Sequence, residues 1–388
     1  MKYIDELTKE ELKGKIVLLR LDLNVPVADG EVTDTYRMER SIETIDFLRG
    51  MEARIIIIAH CEGKQPLEAS DGRMTESSSL VPMWHYLNGY LPVEFCTSYF
   101  TPEALDKILK LEDKGVLLFE NVRMNAGEKE NDPEFAKKLS QMADIYVNDA
   151  FSVCHRKHAS VVGVPEFLPH YGGLLLRAEI EHLSRVFNPE HPFVFILGGA
   201  KFSTKLPLIE KYLDKADTVF VGGALANDVF KERGYEVGTS LVSKEEVNMK
   251  DIINNPKFRT FSDVTVTEGD KVSFKKPDEV SSGECIVDCG PETIDDLKKI
   301  ISSAKTVVWN GPLGNYEIGF KDKTEQLAEI IAQLTSEAKL ESIIGGGDTV
   351  ASINTLGLEH KLTFISTGGG AMLDYLVNET LPGIEALE

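Results

Sequence analysis

Short apolar runs recur along the chain, separated by stretches in which apolar residues return at helical spacing. In the first half the runs are "KIVLLRLDL" (15–23), "RIIIIAH" (54–60), "GVLLFENV" (115–122) and "DIYVNDAF" (144–151). Near-continuous apolar runs of this kind predict buried strands of a parallel sheet. Between them, "RMERSIETIDFLRGM" and "DPEFAKKLSQMA" have the apolar spacing of helices. The second half repeats the rhythm without repeating the sequence, in "PFVFILGG", "TVFVGGA", "TVVWNGP", "SIIGGG" and "FISTGGG". Alternating strands and helices predict an α/β fold with two doubly wound, Rossmann-like parallel sheets.

The join is expected in "GLLLRAEIEHLSRVFNPEHP" (173–192), whose centre reads as one long helix ended by Asn188-Pro189 and Pro192. This divides the chain into an N-terminal domain over 1–172, an interdomain helix over 173–190 and a C-terminal domain over 191–365. No Gly/Ser linker is present, so a rigid helix acting as a hinge is expected. The charged start "MKYIDELTKEELKGK" does not read as a signal peptide, and no apolar run is long enough to span a bilayer. The chain is therefore expected in the cytoplasm. Its five cysteines are scattered, which suits free thiols in a reducing compartment.

A formal net charge of −21 over 388 residues argues against nucleic acid or anionic membranes as partners. Against that background the placement of cations is informative. Arg20, His60, Arg123 and Arg156 with His158 stand at or just beyond the carboxyl ends of four predicted strands, and Arg37 follows the first. Ligands bind at that edge of an open α/β sheet, and guanidinium forks suit carboxylate and phosphate. A small polyanion is implied. The second half places glycines at its strand ends instead, in "LGGAK", "VGGAL", "NGPLG", "GGGDT" and "STGGG", where backbone N–H groups can approach a phosphate. Lys201 and Lys205 follow the first of these. Asp348 is either an N-cap or a ligand of Mg²⁺, and Glu317 is placed to accept from a ribose. One half thus reads as a small-anion site and the other as a nucleotide site. Transfer between two bound ligands needs alignment and charge neutralisation.

These residues carry a resemblance. "RLDLNVP" (20–26), "FENVR" (119–123), "NDAFSVCHRKHAS" (148–160), "LGGAKFSTK" (197–205), "WNGPLGNYE" (309–317), "GGGDT" (345–349) and "STGGGA" (366–371) occur in the order found in phosphoglycerate kinases, which the chain resembles over essentially its full length. The resemblance implies reversible phosphoryl transfer from 1,3-bisphosphoglycerate to MgADP, giving 3-phosphoglycerate and MgATP, by a monomer. It implies that Arg20, Asp22, Asn24, Arg37, His60, Arg123 and Arg156 hold the phosphoglycerate, with His158 nearby. It assigns Lys201 and Lys205 to the phosphates, Asn310, Pro312 and Glu317 to the nucleotide pocket, and Gly346, Gly347, Asp348 and Thr349 to the phosphate loop, with Asp348 associated with the metal. Gly347 and Gly370 would face the transferred group. It also implies that 366–388 packs back on the N-terminal domain. The loop "HCEGKQP" (60–66) departs from the family's usual H-L-G-R-P. Lys64 stands where arginine is expected, and a lysine cannot form the bidentate fork. "CGPET" (289–293) has Glu292 where the family prefers lysine, and "GGALAND" (222–228) replaces a more glycine-rich segment. An inactive kinase-fold protein and a kinase for a different small carboxylate are the competing readings.

Overall fold

The computed structural model describes residues 1–62, 78–244 and 248–388. The chain forms two units, Met1–Glu181 with Asn378–Glu388, and His182–Val377. Among the described residues each unit is built on a six-stranded parallel sheet.

In the first unit the strand order is Glu94–Cys96, Val116–Phe119, Arg54–Ile58, Ile16–Arg20, Ile145–Asn148, His170–Gly172. Ile55 to Ile58 and Val17 to Leu19 have no exposed surface. Burial on both faces is what their uninterrupted apolar sequence requires, and each such side chain contributes about 1.5–3 kcal/mol. Register, more than composition, positions the functional edge. Arg20 pairs with Ile58 on one side and Asn148 on the other, so three strands end level. The chain runs from the Ile16–Arg20 strand outward to one side first and returns later on the other. That reversal opens a crevice beyond the carboxyl ends of Ile16–Arg20 and Ile145–Asn148.

The second unit repeats this plan in the order Phe258–Arg259, Thr218–Val221, Phe193–Leu197, Thr306–Asn310, Glu341–Gly345, Phe364–Ile365. Asn310 lies level with Leu197 and with Gly345, which brings three glycine-bearing strand ends to one edge. Trp309, Phe195 and Tyr212 are fully buried, and the last two stack at 4.2 Å. A three-stranded antiparallel sheet (Val264–Glu268, Lys271–Lys275, Cys285–Cys289) adds to this unit. Its first two strands alternate, VTVTE and KVSFK, and are joined by Gly269-Asp270, a hairpin pattern that a reading from apolar runs passes over.

The helix Leu174–Arg185 contains the boundary between the units. The segment of residues 366–377 lies in the second unit rather than the first. The strand Phe364–Ile365 pairs with Glu341–Gly345, and the helix Gly370–Asn378 places Met372, which has no exposed surface, against Asn310 at 3.6 Å. Only Asn378–Glu388 belongs to the first unit. There Gly383 N donates to Cys154 O at 2.8 Å, and Leu381, Ile384 and Leu387 are buried. All five cysteines are free thiols.

One fold-level cost sits just past the Ile145–Asn148 strand. Asp149 is buried, accepts from Leu176 N at 3.0 Å, and its Oδ2 has no hydrogen-bond partner among the described residues. Burial pushes its carboxyl up to about 6. A folded-state value above the unfolded one means that the stability it contributes is complete below about pH 4 and is lost as pH rises through about 6. Asp149→Asn removes that titration. Between pH 4.5 and pH 7, urea unfolding should show the variant gaining on the parent by about 2 kcal/mol.

Candidate active site

The first site is organised by Arg20, whose side chain is 0% exposed. Its Nε donates to Ser160 Oγ at 3.0 Å, its Nη1 to Leu21 O, and its Nη2 contacts His60 Nδ1 at 3.1 Å. Arginine has no acceptor, so Nδ1 of His60 must accept and the imidazole proton resides on Nε2. Burial first, and the charges of Arg20 and Arg123 after it, hold the His60 pKa well below its ordinary value. His60, 2% exposed, is thus a neutral donor. Ser160 passes the network on, its Oγ donating to Glu128 Oε1 at 2.6 Å and its N to Oε2 at 2.8 Å. Glu128 supplies a buried negative charge, and His158 Nδ1 lies 3.8 Å from it. Burial and then Arg123 and Arg156 bring His158 down to about 4, so it too is neutral at physiological pH.

A second group flanks this one. Asp22 is buried, accepts from Ser152 Oγ at 2.5 Å and pairs with Arg37 Nη1 at 3.2 Å. The same Nη1 donates to Asn24 O at 3.0 Å. Asp22 and Asn24 therefore set the direction of Arg37, whose head stays partly exposed. Asn24 Oδ1 also accepts from Glu62 N at 2.8 Å.

Arg123 completes the cluster. Its side chain is 5% exposed, its Nη1 bonds Glu62 Oε1 at 2.5 Å, and its Nε and Nη2 have no hydrogen-bond partner among the described residues. Burial lowers its pKa despite Glu62. A guanidinium edge desolvated in this way is costly unless an acceptor meets it, and two N–H groups side by side match a carboxylate or a phosphate. Arg156 is more open and lies 3.7 Å from the same Glu62 oxygen. The structure thus brings Arg20, Asp22, Asn24, Arg37, His60, Arg123, Arg156 and His158 to one sheet edge. Lys64 lies outside the described residues.

In the second unit the switch point lies between Phe193–Leu197 and Thr306–Asn310, and there the backbone closes on itself. Gly198 N donates to Asn310 O at 2.8 Å and Gly199 N to Pro312 O at 3.1 Å. A Cβ on Gly198 would sit 2.1 Å from Pro312 O. Only glycine permits that approach. Beyond it opens a cavity of about 450 Å³ lined by residues that include Gly199, Leu241, Phe261, Pro312, Leu313, Glu317 and Asp348. Apolar walls with a few polar groups at one side suit a nucleotide. Burial first and Glu317 second raise the Asp348 carboxyl.

Asn310 and Thr349 do not line this cavity. The Asn310 amide is held against Met372, and Thr349 Oγ1 accepts from Gly311 N at 3.1 Å, so both brace the wall from behind. Gly346 has φ 95° and precedes the helix Gly347–Leu356. Gly347 and Gly370 are the first residues of their helices, and nothing lies within 4 Å of where a Cβ would stand on either. The start of a helix favours an anion, and no Cβ crowds either of these two starts. Lys201 is exposed and takes φ 63°, ψ 78° at the head of the helix Phe202–Lys215. A left-handed lysine is an outlier of the kind that clusters at functional sites. Lys205 follows one turn later, and desolvation lowers its pKa against the opposing pull of Asp374.

Three contributors are not distinguished by sequence. Glu128 sits in "MNAGEKE", whose pattern is that of any solvated turn. Ser160 closes a quoted motif but differs in nothing from an ordinary serine. Glu62 lies in the unusual "HCEGKQP", and that departure is the available signal.

An arginine-lined anion site on one α/β unit and a glycine-walled, nucleotide-sized cavity on another define a small-molecule phosphotransferase. The phosphoglycerate kinase family matches residues 5–379. The chain is 39% identical to the phosphoglycerate kinase of Dictyoglomus turgidum over 100% of this chain and 99% of that one. It is 40% identical to that of Orientia tsutsugamushi over 97% and 95%. Among solved structures, phosphoglycerate kinase from Coxiella burnetii superposes with a TM-score of 0.81 at 36% identity, over 99% of this chain and 98% of that one. The enzyme from Pyrococcus horikoshii gives 0.85 at 30% identity, over 100% and 98%. The chain belongs to the phosphoglycerate kinase family. It is a kinase that transfers a phosphoryl group between the acyl phosphate of 1,3-bisphosphoglycerate and ADP.

Ser160→Ala should strip partners from both Arg20 Nε and Glu128 Oε1. Urea unfolding should register a loss of about 1–3 kcal/mol. ADP affinity, measured by calorimetry, should not change.

Proposed function

We propose that the first unit holds the phosphoglycerate through Arg123, Arg156 and the Nε2–H of His60, with Arg20 positioning His60 and Asp22 positioning Arg37. The observation that carries this reading is the buried, unpartnered edge of Arg123 at the sheet's switch point. In the second unit Leu241, Phe261 and Leu313 pack the base, Glu317 accepts from the ribose, and the phosphates extend toward the two helix starts. Lys201 and Lys205 face those phosphates.

The donor set fits a nucleotide-borne Mg²⁺. Among the described residues no cluster of three or more His, Cys, Asp and Glu groups could hold a metal, and Mg²⁺ on a nucleotide needs only one or two carboxylates beside phosphate and water. Asp348, on the cavity wall with a carboxyl that burial penalises, would be its protein ligand. The bound ion neutralises charge on the phosphates.

In the reaction the acyl P–O bond breaks and an oxygen of the nucleotide's β-phosphate forms the new one. Charge spreads over the equatorial oxygens of the group in transfer. Lys205, Arg37 and the N–H groups at Gly347 and Gly370 neutralise it, and no side chain needs to accept a proton. Both ligands must be aligned and water excluded. We infer a cytoplasmic monomer acting on these small molecules alone, without nucleic acid or membrane partners. This suits the net charge of −21. No helix among the described residues is long and apolar enough to cross a membrane.

A coupled assay with 3-phosphoglycerate and MgATP tests the assignment. Replacing 3-phosphoglycerate by other small carboxylates should abolish turnover. Lys205→Ala should fold normally and lose about 10²–10³-fold in kcat, the usual consequence of removing one transition-state donor. Arg37→Ala should lose a comparable factor with MgADP affinity unchanged and 3-phosphoglycerate affinity only modestly weaker. Near-normal kcat with most substrate affinity lost would make Arg37 a ground-state clamp instead.

A further inference from the structure

Glu62 is out of place in a site for anions. Its backbone N is anchored by Asn24 Oδ1 at 2.8 Å. Its carboxylate is 2.5 Å from Arg123 Nη1 and 3.7 Å from Arg156 Nη1. These are two of the cations assigned above to the phosphoglycerate. The Glu62 side chain is 53% exposed while that of Arg123 is 5% exposed. One partner is therefore held in the protein and the other is free to turn toward water. The carboxylate also leaves the Nε and Nη2 edge of Arg123 unmet, so the pairing is monodentate and incomplete. Because the Nε and Nη2 edge is buried, an incoming anion reaches this guanidinium through Nη1, the atom that Glu62 occupies.

We propose that Glu62 is an internal competitor for the phosphoglycerate site: it balances the Arg123 and Arg156 charges when the site is empty and is displaced when the substrate anion binds, and so sets the affinity for that substrate. This rests on the assignment of the first unit's arginine cluster to phosphoglycerate. The physical reason is direct. Phosphoglycerate carries a carboxylate and a phosphate, and neither can share Arg123 Nη1 with a second carboxylate at hydrogen-bond distance without like-charge repulsion. Burial of Arg123 is tolerable in the empty protein because Glu62 is there. Displacement costs the binding of substrate whatever the Glu62 pairs contribute. Since Glu62 is more than half exposed, that contribution is modest, and the effect belongs in KM, with the chemical step untouched.

The test uses the full chain with Glu62→Gln and Glu62→Ala, both neutral and both at an exposed position. Titration calorimetry with 3-phosphoglycerate should show affinity rising about 3- to 10-fold in both variants. KM for 3-phosphoglycerate should fall by the same factor, with KM for MgATP unchanged and kcat not raised. Inorganic phosphate should inhibit both variants more strongly against 3-phosphoglycerate. Unchanged or weaker 3-phosphoglycerate binding in either variant overturns the proposal, because it would make Glu62 a spectator or a contact for the substrate. Arg156→Ala, at a side chain 42% exposed, separates the two levels of inference. If it weakens 3-phosphoglycerate binding while the Glu62 variants do not tighten it, only the competitor role fails. If both Arg156→Ala and Arg123→Lys bind 3-phosphoglycerate like the parent, the arginine cluster is not the substrate site and the competitor role falls with it.

Discussion

A positive charge with no exposed surface, at the end of a central strand, is the constraint on which the first unit's site depends. Leaving the buried Arg20 guanidinium unpaired in the interior would cost several kcal/mol. The surrounding residues answer that demand. Ser160, itself bonded to Glu128, meets one side of the guanidinium, and the Leu21 carbonyl and His60 meet the other. In meeting it they acquire their own properties. His60 is forced into one tautomer and kept neutral, and Glu128 is fixed where it can offset the neighbouring arginines. The cluster is thus graded from a fully satisfied interior cation to a half-satisfied one at Arg123. The least satisfied member, Arg123, is the one with N–H groups left over.

The second unit solves the same problem of binding an anion without arginines. Its tool is backbone geometry. Strands whose ends lie level let Gly198 and Gly311 approach within contact of one another's main chain, and a Cβ on Gly311 would sit 2.6 Å from Gly198 carbon. The freed space and the helix starts at Gly347 and Gly370 stand where the first unit has guanidinium groups, with Lys201 and Lys205 nearby in sequence at the head of the Phe202–Lys215 helix. A site of that kind imposes its charge only where the N–H groups converge, which is compatible with a chain carrying a net charge of −21.

Much of this was legible in the sequence, and the exceptions share a cause. The uninterrupted apolar runs are unambiguous because both faces of a parallel sheet are covered. The edge strands Glu94–Cys96, His170–Gly172 and Phe258–Arg259 are short and mixed, and only pairing with a neighbour defines them. Cations at strand ends could be read from position, since parallel strands deliver their carboxyl ends to one edge. Carboxylates that balance those cations could not. Glu128 and Glu62 come from turns, and a glutamate in a turn looks like a solvated one until the fold shows what it faces. Asn310 and Thr349 show the converse. They belong to the right motifs, yet their side chains point into the wall, toward Met372 and the Gly311 amide.

The eleven residues from Asn378 to Glu388 carry a consequence for how the molecule is made. They bury Leu381, Ile384 and Leu387 and place Gly383 N on Cys154 O in the first unit, yet they are translated after the whole of the second. The second unit is thus inserted in the chain ahead of the segment that packs over Cys154 and Val161 in the first, so the first unit closes only through a contact of long sequence separation.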